Sequence, residues 1–119
     1  MAKGNPIGWW EITGKDAAKS QKFYADLFGW NVDANNPMNY GMVMGDGHAV
    51  GGGIAGSMDG NTLVTVYVDV DDLQATLDKA TSLGGQVVMP PMQVPDGPNI
   101  AQFKDIDGNV IGIMKAPGQ

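Results

Sequence analysis

The sequence predicts an α+β fold made of two consecutive β-α-β-β-β modules. Three observations carry this. The stretch WWEITGKDAAKSQKFYADLFGWNV, Trp9 to Val32, returns 56 positions later as TVYVDVDDLQATLDKATSLGGQVV, Thr65 to Val88. Asp16 falls on Asp72, Leu27 on Leu83, Gly29 on Gly85 and Val32 on Val88. A repeat of this length in so short a chain implies two similar half-domains. Within each copy the apolar period changes from two to helical between an aspartate and a glycine. Downstream of each copy, short alternating segments are separated by Gly, Asn, Asp and Pro, the residues that make turns. The 119 residues are expected to form one domain, 1–119, with module 1 at about 5–55 and module 2 at about 62–116.

Taken in order, Ile7 to Ile12 reads as a strand. Trp10 and Ile12 point to one face, and Ile7, Trp9 and Glu11 to the other. Asp16 is a good N-cap. Tyr24, Leu27 and Phe28, flanked by Ala17 and Phe23, give the following helix an apolar side. Gly29 is placed to end it. Trp30 to Val32 opens a second strand, and Asn35-Asn36-Pro37 is a turn. Tyr40, Met42 and Met44 alternate as a third strand. Gly45-Asp46-Gly47 suits a hairpin turn, with His48 to Ile54 returning. Gly56 to Asn61 is the linker between the halves.

In the second half Leu63 to Val70 is a strand, with Val64, Val66 and Val68 on one face and Leu63, Thr65 and Tyr67 on the other. Asp71 or Asp72 caps a helix bearing Leu73, Leu77, Ala80 and Leu83, which Gly84-Gly85 stops. Gln86 to Met89 is a strand. Pro90-Pro91 and Pro95 to Pro98 bound a loop. Ile100 to Lys104 and Val110 to Met114 are the last strands, joined by Asp107-Gly108-Asn109.

Composition narrows the function. Seven Lys and Arg against 13 Asp and Glu leave a formal charge of −6. That disfavours nucleic acid or an anionic membrane as partner. The absence of cysteine excludes disulfides, thiolate nucleophiles and zinc–thiolate sites. No apolar leader or membrane span is present, so a cytoplasmic location is expected.

The order of elements, Asp16 followed by Phe23-Tyr24 and Leu27-Phe28-Gly29-Trp30, the Leu83-Gly84-Gly85 helix end, Pro90-Pro91, and the closing Asp105-Ile106-Asp107-Gly108-Asn109 together resemble the vicinal oxygen chelate superfamily. It includes glyoxalase I, bleomycin-resistance proteins and extradiol dioxygenases. The resemblance covers almost the whole chain. It is nearest to a glyoxalase-like subgroup with Trp-x-Glu in the first strand and PP-x-x-VP after the second helix. It implies that the sheets of the halves curl into a half-open, barrel-like cup that holds the ligand, and that the protein is a homodimer. In that superfamily a metal, when present, is held by His, Gln or Glu on the first strand of a half and by Glu on its last strand. The matching positions here are Trp9 and Thr65, and Gly51 (within one or two residues) and Gly112. Glycine has no ligand atom, indole has no accessible lone pair, and a lone hydroxyl is a weak donor. No metal or other cofactor is therefore expected.

Glu11 is the most informative polar residue. On the resemblance it lines the cup beside Trp9, where a dry setting would raise its pKa and let it take a proton or hold a polar group. The plainer reading is a strand-edge Glu, solvated or paired with a lysine such as Lys15. Tyr67 stands at the equivalent position of the second half, and the resemblance places it across the cup from Glu11; otherwise it is a strand tyrosine with its hydroxyl at the rim. These two are the candidate catalytic residues. Trp9, Thr65, Tyr40, Met42, Phe103 and Met92 are the candidate ligand contacts, with Trp30, Met44 and Met89 as further apolar candidates. Ordinary core packing is the alternative for most of them. His48, the sole histidine, is expected at the surface. Asp69, Asp71 and Asp72 read as a cap and a solvated strand end, and the run from Asp105 as a turn without the distal Glu of a calcium loop. Gly45 to Gly53 lacks dinucleotide-loop spacing.

The expected function is a metal-free module that binds an apolar or aromatic small molecule. The alternatives are a glyoxalase-like lyase, isomerase or hydroxylase/dioxygenase using Glu11 and Tyr67, or an interaction domain whose cup is filled by its own side chains.

Overall fold

The computed structural model describes residues 4–45, 50–57, 59–95 and 97–115. Among these the chain forms seven strands and two helices, an α+β fold. They are β1 (Ile7–Gly14), α1 (Ala17–Phe28), β2 (Gly41–Val43), β3 (Gly52–Gly56), β4 (Leu63–Asp69), α2 (Leu73–Ser82), β5 (Gln86–Gln93), β6 (Asn99–Lys104) and β7 (Val110–Lys115). Two compact units emerge: Trp9–Thr65, and Met1–Gly8 together with Val66–Gln119.

In the unit Trp9–Thr65, β3 lies parallel to β1 and antiparallel to β2. Asp16 caps α1, its carboxylate accepting from the Lys19 N–H, and Gly29 ends the helix in the left-handed region at φ 73°. That conformation costs glycine no steric penalty. The expected strand at Trp30 to Val32 is absent; a lone antiparallel bridge, Asp33 with Met42, stands in its place. The Asp46-Gly47 part of the expected hairpin turn, and His48, lie outside the described residues.

The apolar side expected for α1 is not a buried one. No α1 residue is buried, and Phe23, Leu27 and Phe28 are more than half exposed. In β3 the one large side chain is Ile54, which is fully buried. The Trp10 ring occupies the space over Gly52. Trp30 then stacks among Trp10, Tyr24 and Phe28, with ring centroids 5.0, 6.0 and 4.9 Å away. A polar residue makes the tie between helix and strand: Gln21 Nε2 donates to the carbonyls of Ile54 and Asn39, both at 2.9 Å.

In the other unit the strand order is β4-β7-β6-β5, with β4 and β7 parallel and the other pairs antiparallel. Asp72 caps α2, accepting from the Ala75 N–H, as Asp16 does in α1. Leu73 and Leu77 are buried with Val70, Ala101 and Ile113, and Val68 and Phe103 pack against them. β5 runs straight through Pro90-Pro91, which was expected to open a loop. It is the edge strand, and its register with β6 shifts between Val87 and Met89 and again between Met89 and Met92. Edges and bulges are where a sheet tolerates proline, because no ladder N–H is lost.

The turn between β6 and β7 is built on Asp105. Its Oδ1 accepts from the N–H groups of Asp107 and Asn109 at 2.8 and 2.9 Å, and its Oδ2 from Asn109 Nδ2 at 2.9 Å. Donation by the Asn109 side chain, then by its backbone, holds the Asp105 carboxyl below the usual aspartate range.

Candidate functional site

The β1–β3 register builds the first candidate site. Glu11 pairs with Gly53, and Gly53 pairs with Met42 across β2. Paired residues project to the same face, so Glu11, Gly53 and Met42 form one row, with Trp9 two residues along β1 on that face. Tyr40, just before β2, closes the group. A Cβ on Gly53 would fall on the Tyr40 hydroxyl and ring. Glycine is thus required where the tyrosine crosses the strand.

Tyr40 is fixed from behind. Asn36 brackets its backbone, Oδ1 accepting from the Tyr40 N–H at 2.9 Å and Nδ2 donating to its carbonyl at 2.8 Å. Asn39 takes φ 54° to make the tight entry, a conformation asparagine tolerates better than most residues. Held this way, Tyr40 links two of the candidates. Trp9 Nε1 donates to Tyr40 Oη at 2.9 Å, and Tyr40 Oη donates to Glu11 Oε2 at 2.9 Å. All three side chains are partly buried. Glu11 is also the sole glutamate in the sequence.

The second module shows a matching row. Tyr67 pairs with Gly112, and Gly112 with Gln102. Tyr67 is buried, with 3% of its surface exposed, and its ring fills the space over Gly112 that a Cβ would take. Gln102 Nε2 donates to Tyr67 Oη at 2.9 Å. Thr65 is buried two residues earlier. Gln102 is a residue the sequence reading missed. The available signal was its position between Ala101 and Phe103 in an alternating strand.

Two candidates stand apart from these rows. Phe103 is on the opposite face of β6 from Gln102, packed against the core under α2. A strand turns alternate residues to opposite faces, so Phe103 is a core residue and not a neighbour of Tyr67. Met92 is exposed on edge strand β5 and lines a surface hollow of about 420 Å³ with Asp72, Leu73, Gln74 and Lys115. A second hollow, of about 470 Å³, lies at the start of α1 among Thr13, Lys15, Lys19, Ser20 and Tyr24. Neither is lined by Glu11 or Tyr67.

The metal of the resembled superfamily does not fit these residues. Among the described residues no three His, Cys, Asp or Glu side chains gather as ligands. The register moves the first-half counterpart of Gly112 from Gly51 to Gly53, since Tyr67 pairs with the former and Glu11 with the latter. At Gly53 and at Gly112 the space for a side chain is taken by a tyrosine ring, and at Gly51 a Cβ would come within 3.0 Å of the Trp9 ring. A carboxylate on those strands would have to displace an aromatic ring. Among the described residues no helix is long and apolar enough to cross a membrane.

The seven strands and two helices, β1-α1-β2-β3 followed by β4-α2-β5-β6-β7, have a fold that comparison with known proteins names. The chain belongs to the Glyoxalase/Bleomycin resistance protein/Dioxygenase superfamily, whose model matches residues 6–113. CFP32 of Mycobacterium tuberculosis, a protein provisionally named a glyoxylase, is 33% identical over 96% of this chain and 46% of its own length. The anthracycline biosynthesis protein DnrV of Streptomyces peucetius is 29% identical over 97% of this chain and 48% of its own. The chain thus spans about half the length of these curated relatives. Methylmalonyl-CoA epimerase from Mycobacterium tuberculosis shares the fold, with TM-score 0.67 at 14% identity over 97% of this chain and 92% of that one.

Proposed function

We propose that this protein is a small-molecule binding domain that holds an apolar or aromatic ligand against Trp9, Tyr40, Met42 and Glu11 without a divalent metal. The observation that carries this reading is the continuous chain from Trp9 through Tyr40 to Glu11. Binding sites combine a mostly apolar lining with a few oriented polar groups. Two aromatic side chains, a methionine and one carboxylate supply that mixture. The name of DnrV, which ties that relative to anthracycline biosynthesis, supports a polycyclic aromatic ligand. In the other module Gln102 orients Tyr67. A homodimer is part of the proposal.

The test is titration of chelator-treated protein with planar aromatics such as naphthalene and anthraquinone, followed by tryptophan fluorescence. Saturable quenching that is lost in Trp9→Phe supports the reading. Binding that appears only after a stoichiometric divalent cation is restored would overturn it. An enzymatic role for Glu11 as base has one support, the glyoxylase name of the mycobacterial relative. It is distinguished by Glu11→Gln, which would then keep binding and lose turnover.

A further inference from the structure

We infer that Gln21 of α1 is a positioning residue for the candidate site. From the opposite face of β2 and β3 it sets, through the backbone, where Tyr40 meets Gly53. The inference rests on the ligand-binding reading above and adds a determinant of affinity that lies off the ligand-facing row.

The register separates the two faces. Gly41 pairs with Ile54, and Met42 with Gly53. Successive strand residues point to opposite faces. A Cβ on Gly41 would come within 2.8 Å of Gln21 Cγ and Nε2, whereas one on Gly53 would fall on the Tyr40 hydroxyl and ring. Gln21 therefore lies against the Gly41 face, and the Tyr40 ring against the other.

A glutamine amide carries two N–H donors. Here both go to one junction. Nε2 donates to the carbonyl of Asn39, the residue before Tyr40, and to that of Ile54, the residue after Gly53, each at 2.9 Å. One planar amide thus fixes the spacing of the two segments that carry Tyr40 and Gly53. Its placement in the helix is unusual. Ala17, Gln21, Tyr24 and Ala25 are the half-buried stripe of α1, with Ser20 beside it. Apolar side chains are the rule on such a stripe, and immobilising a long polar one costs rotamer entropy. The two carbonyl bonds are what Gln21 supplies and an apolar residue would not.

Asn36 completes the arrangement from the loop. Its side chain brackets the Tyr40 backbone, and its main-chain carbonyl accepts from the Asn39 N–H at 3.1 Å. Asn39, at φ 54°, is held at its N–H by Asn36 and at its carbonyl by Gln21. A residue outside the common backbone regions persists where its surroundings over-determine it. Removing the Gln21 donors lets the 39–40 peptide relax, and the Tyr40 hydroxyl then leaves its place 2.9 Å from Trp9 Nε1.

The test is Gln21→Met, which keeps an unbranched side chain and loses both donors. Chelator-treated protein is titrated with 1-naphthol and followed by tryptophan fluorescence. The variant should unfold cooperatively and bind about tenfold more weakly than wild type. In ligand-free ¹⁵N-resolved spectra its Trp9 indole signal should be displaced. A residue that only ties helix to strand would lower Tm and leave both the affinity of the folded protein and the Trp9 signal unchanged; that result overturns the inference. In a Tyr40→Phe background, where the hydroxyl is already gone, Gln21→Met should weaken binding by no more than about twofold. An undiminished further loss there shows that Gln21 acts elsewhere and also overturns it. Should Gln21→Met fail to fold, Asn36→Asp reads the same positioning, because its carboxylate still accepts from the Tyr40 N–H but no longer donates to the Tyr40 carbonyl. Weaker binding with a displaced Trp9 signal supports the inference, and an unchanged affinity and signal overturn it. Wild-type protein that binds no 1-naphthol removes the ligand-binding reading and this inference with it.

Discussion

Adding one methyl group at Gly112 should be among the costlier small changes to this chain. An ideal Cβ there would land on the Tyr67 ring and 2.7 Å from its Cζ. The ring has little freedom to retreat, since Tyr67 is 3% exposed and its hydroxyl accepts from Gln102. Overpacking of this kind costs about 1–3 kcal/mol. Reduced freedom of the unfolded chain offsets about 0.4–1 kcal/mol, and loss of the Gln102 bond restores about 1 kcal/mol to the penalty. The net loss for Gly112→Ala is thus about 1–3 kcal/mol. At about 4 °C per kcal/mol for a domain of this size, Tm should fall by about 4–12 °C. Thermal and urea unfolding followed by far-ultraviolet circular dichroism measures it. In a Tyr67→Ala background the new methyl meets space rather than a ring, so the added cost should drop below about 0.5 kcal/mol, a coupling of about 1 kcal/mol or more. An unchanged Tm for Gly112→Ala, or the same cost in both backgrounds, would refute the claim that the ring occupies the ligand position.

Asp105 predicts an acid-limb effect. Its carboxyl sits below the usual aspartate range in the folded state because Asn109 and the turn donate to it. Its stabilisation is therefore complete above the unfolded value of about pH 4 and is lost as pH falls through the lower folded value. Asp105→Asn should leave a shallower dependence of stability on pH below about 4, read by denaturation at stepped pH; an identical slope would contradict the assignment. Asp16→Ala and Asp72→Ala should each cost about 1 kcal/mol in chemical denaturation, because each carboxylate caps a helix in the same way. Leu77→Ala, at a side chain only 1% exposed, should cost about 2–5 kcal/mol and serves as the upper reference for the series.

Local chemistry explains what was legible in advance. Asp16 and Asp72 cap their helices because side-chain oxygens at those positions meet orphan N–H groups whatever surrounds them. The Asp105 turn was readable for the same reason, and Gly29 because glycine takes the left-handed conformation without penalty. Tertiary context hid the rest. Trp30 to Val32 has strand composition, yet Trp30 is drawn into an aromatic stack with Trp10, Tyr24 and Phe28. Pro90-Pro91 looks like a breaker until β5 proves to be an edge with bulges. The apolar side of α1 is exposed, and Gln21 ties the helix to backbone carbonyls. In the candidate site, strand alternation placed Trp9 and Glu11 on one face, as their register does. The roles of Asn36, Gly53 and Gln102 were not legible, because each depends on a cross-strand or loop register that a linear sequence does not state. Counting from the turn placed the ligand position at Gly51; pairing with Glu11 places it at Gly53.

The side-chain N–H of Trp9 offers the most direct reading of the central claim. Its proton is bonded to Tyr40, whereas that of Trp10 is bonded to the Val50 carbonyl, so the two report different faces of β1. In ¹⁵N-resolved spectra of chelator-treated protein, adding 1-naphthol should shift the Trp9 indole signal in a saturable way and leave that of Trp10 in place. A Trp9 signal that stays fixed, or that moves only once a divalent cation is supplied, would contradict the account.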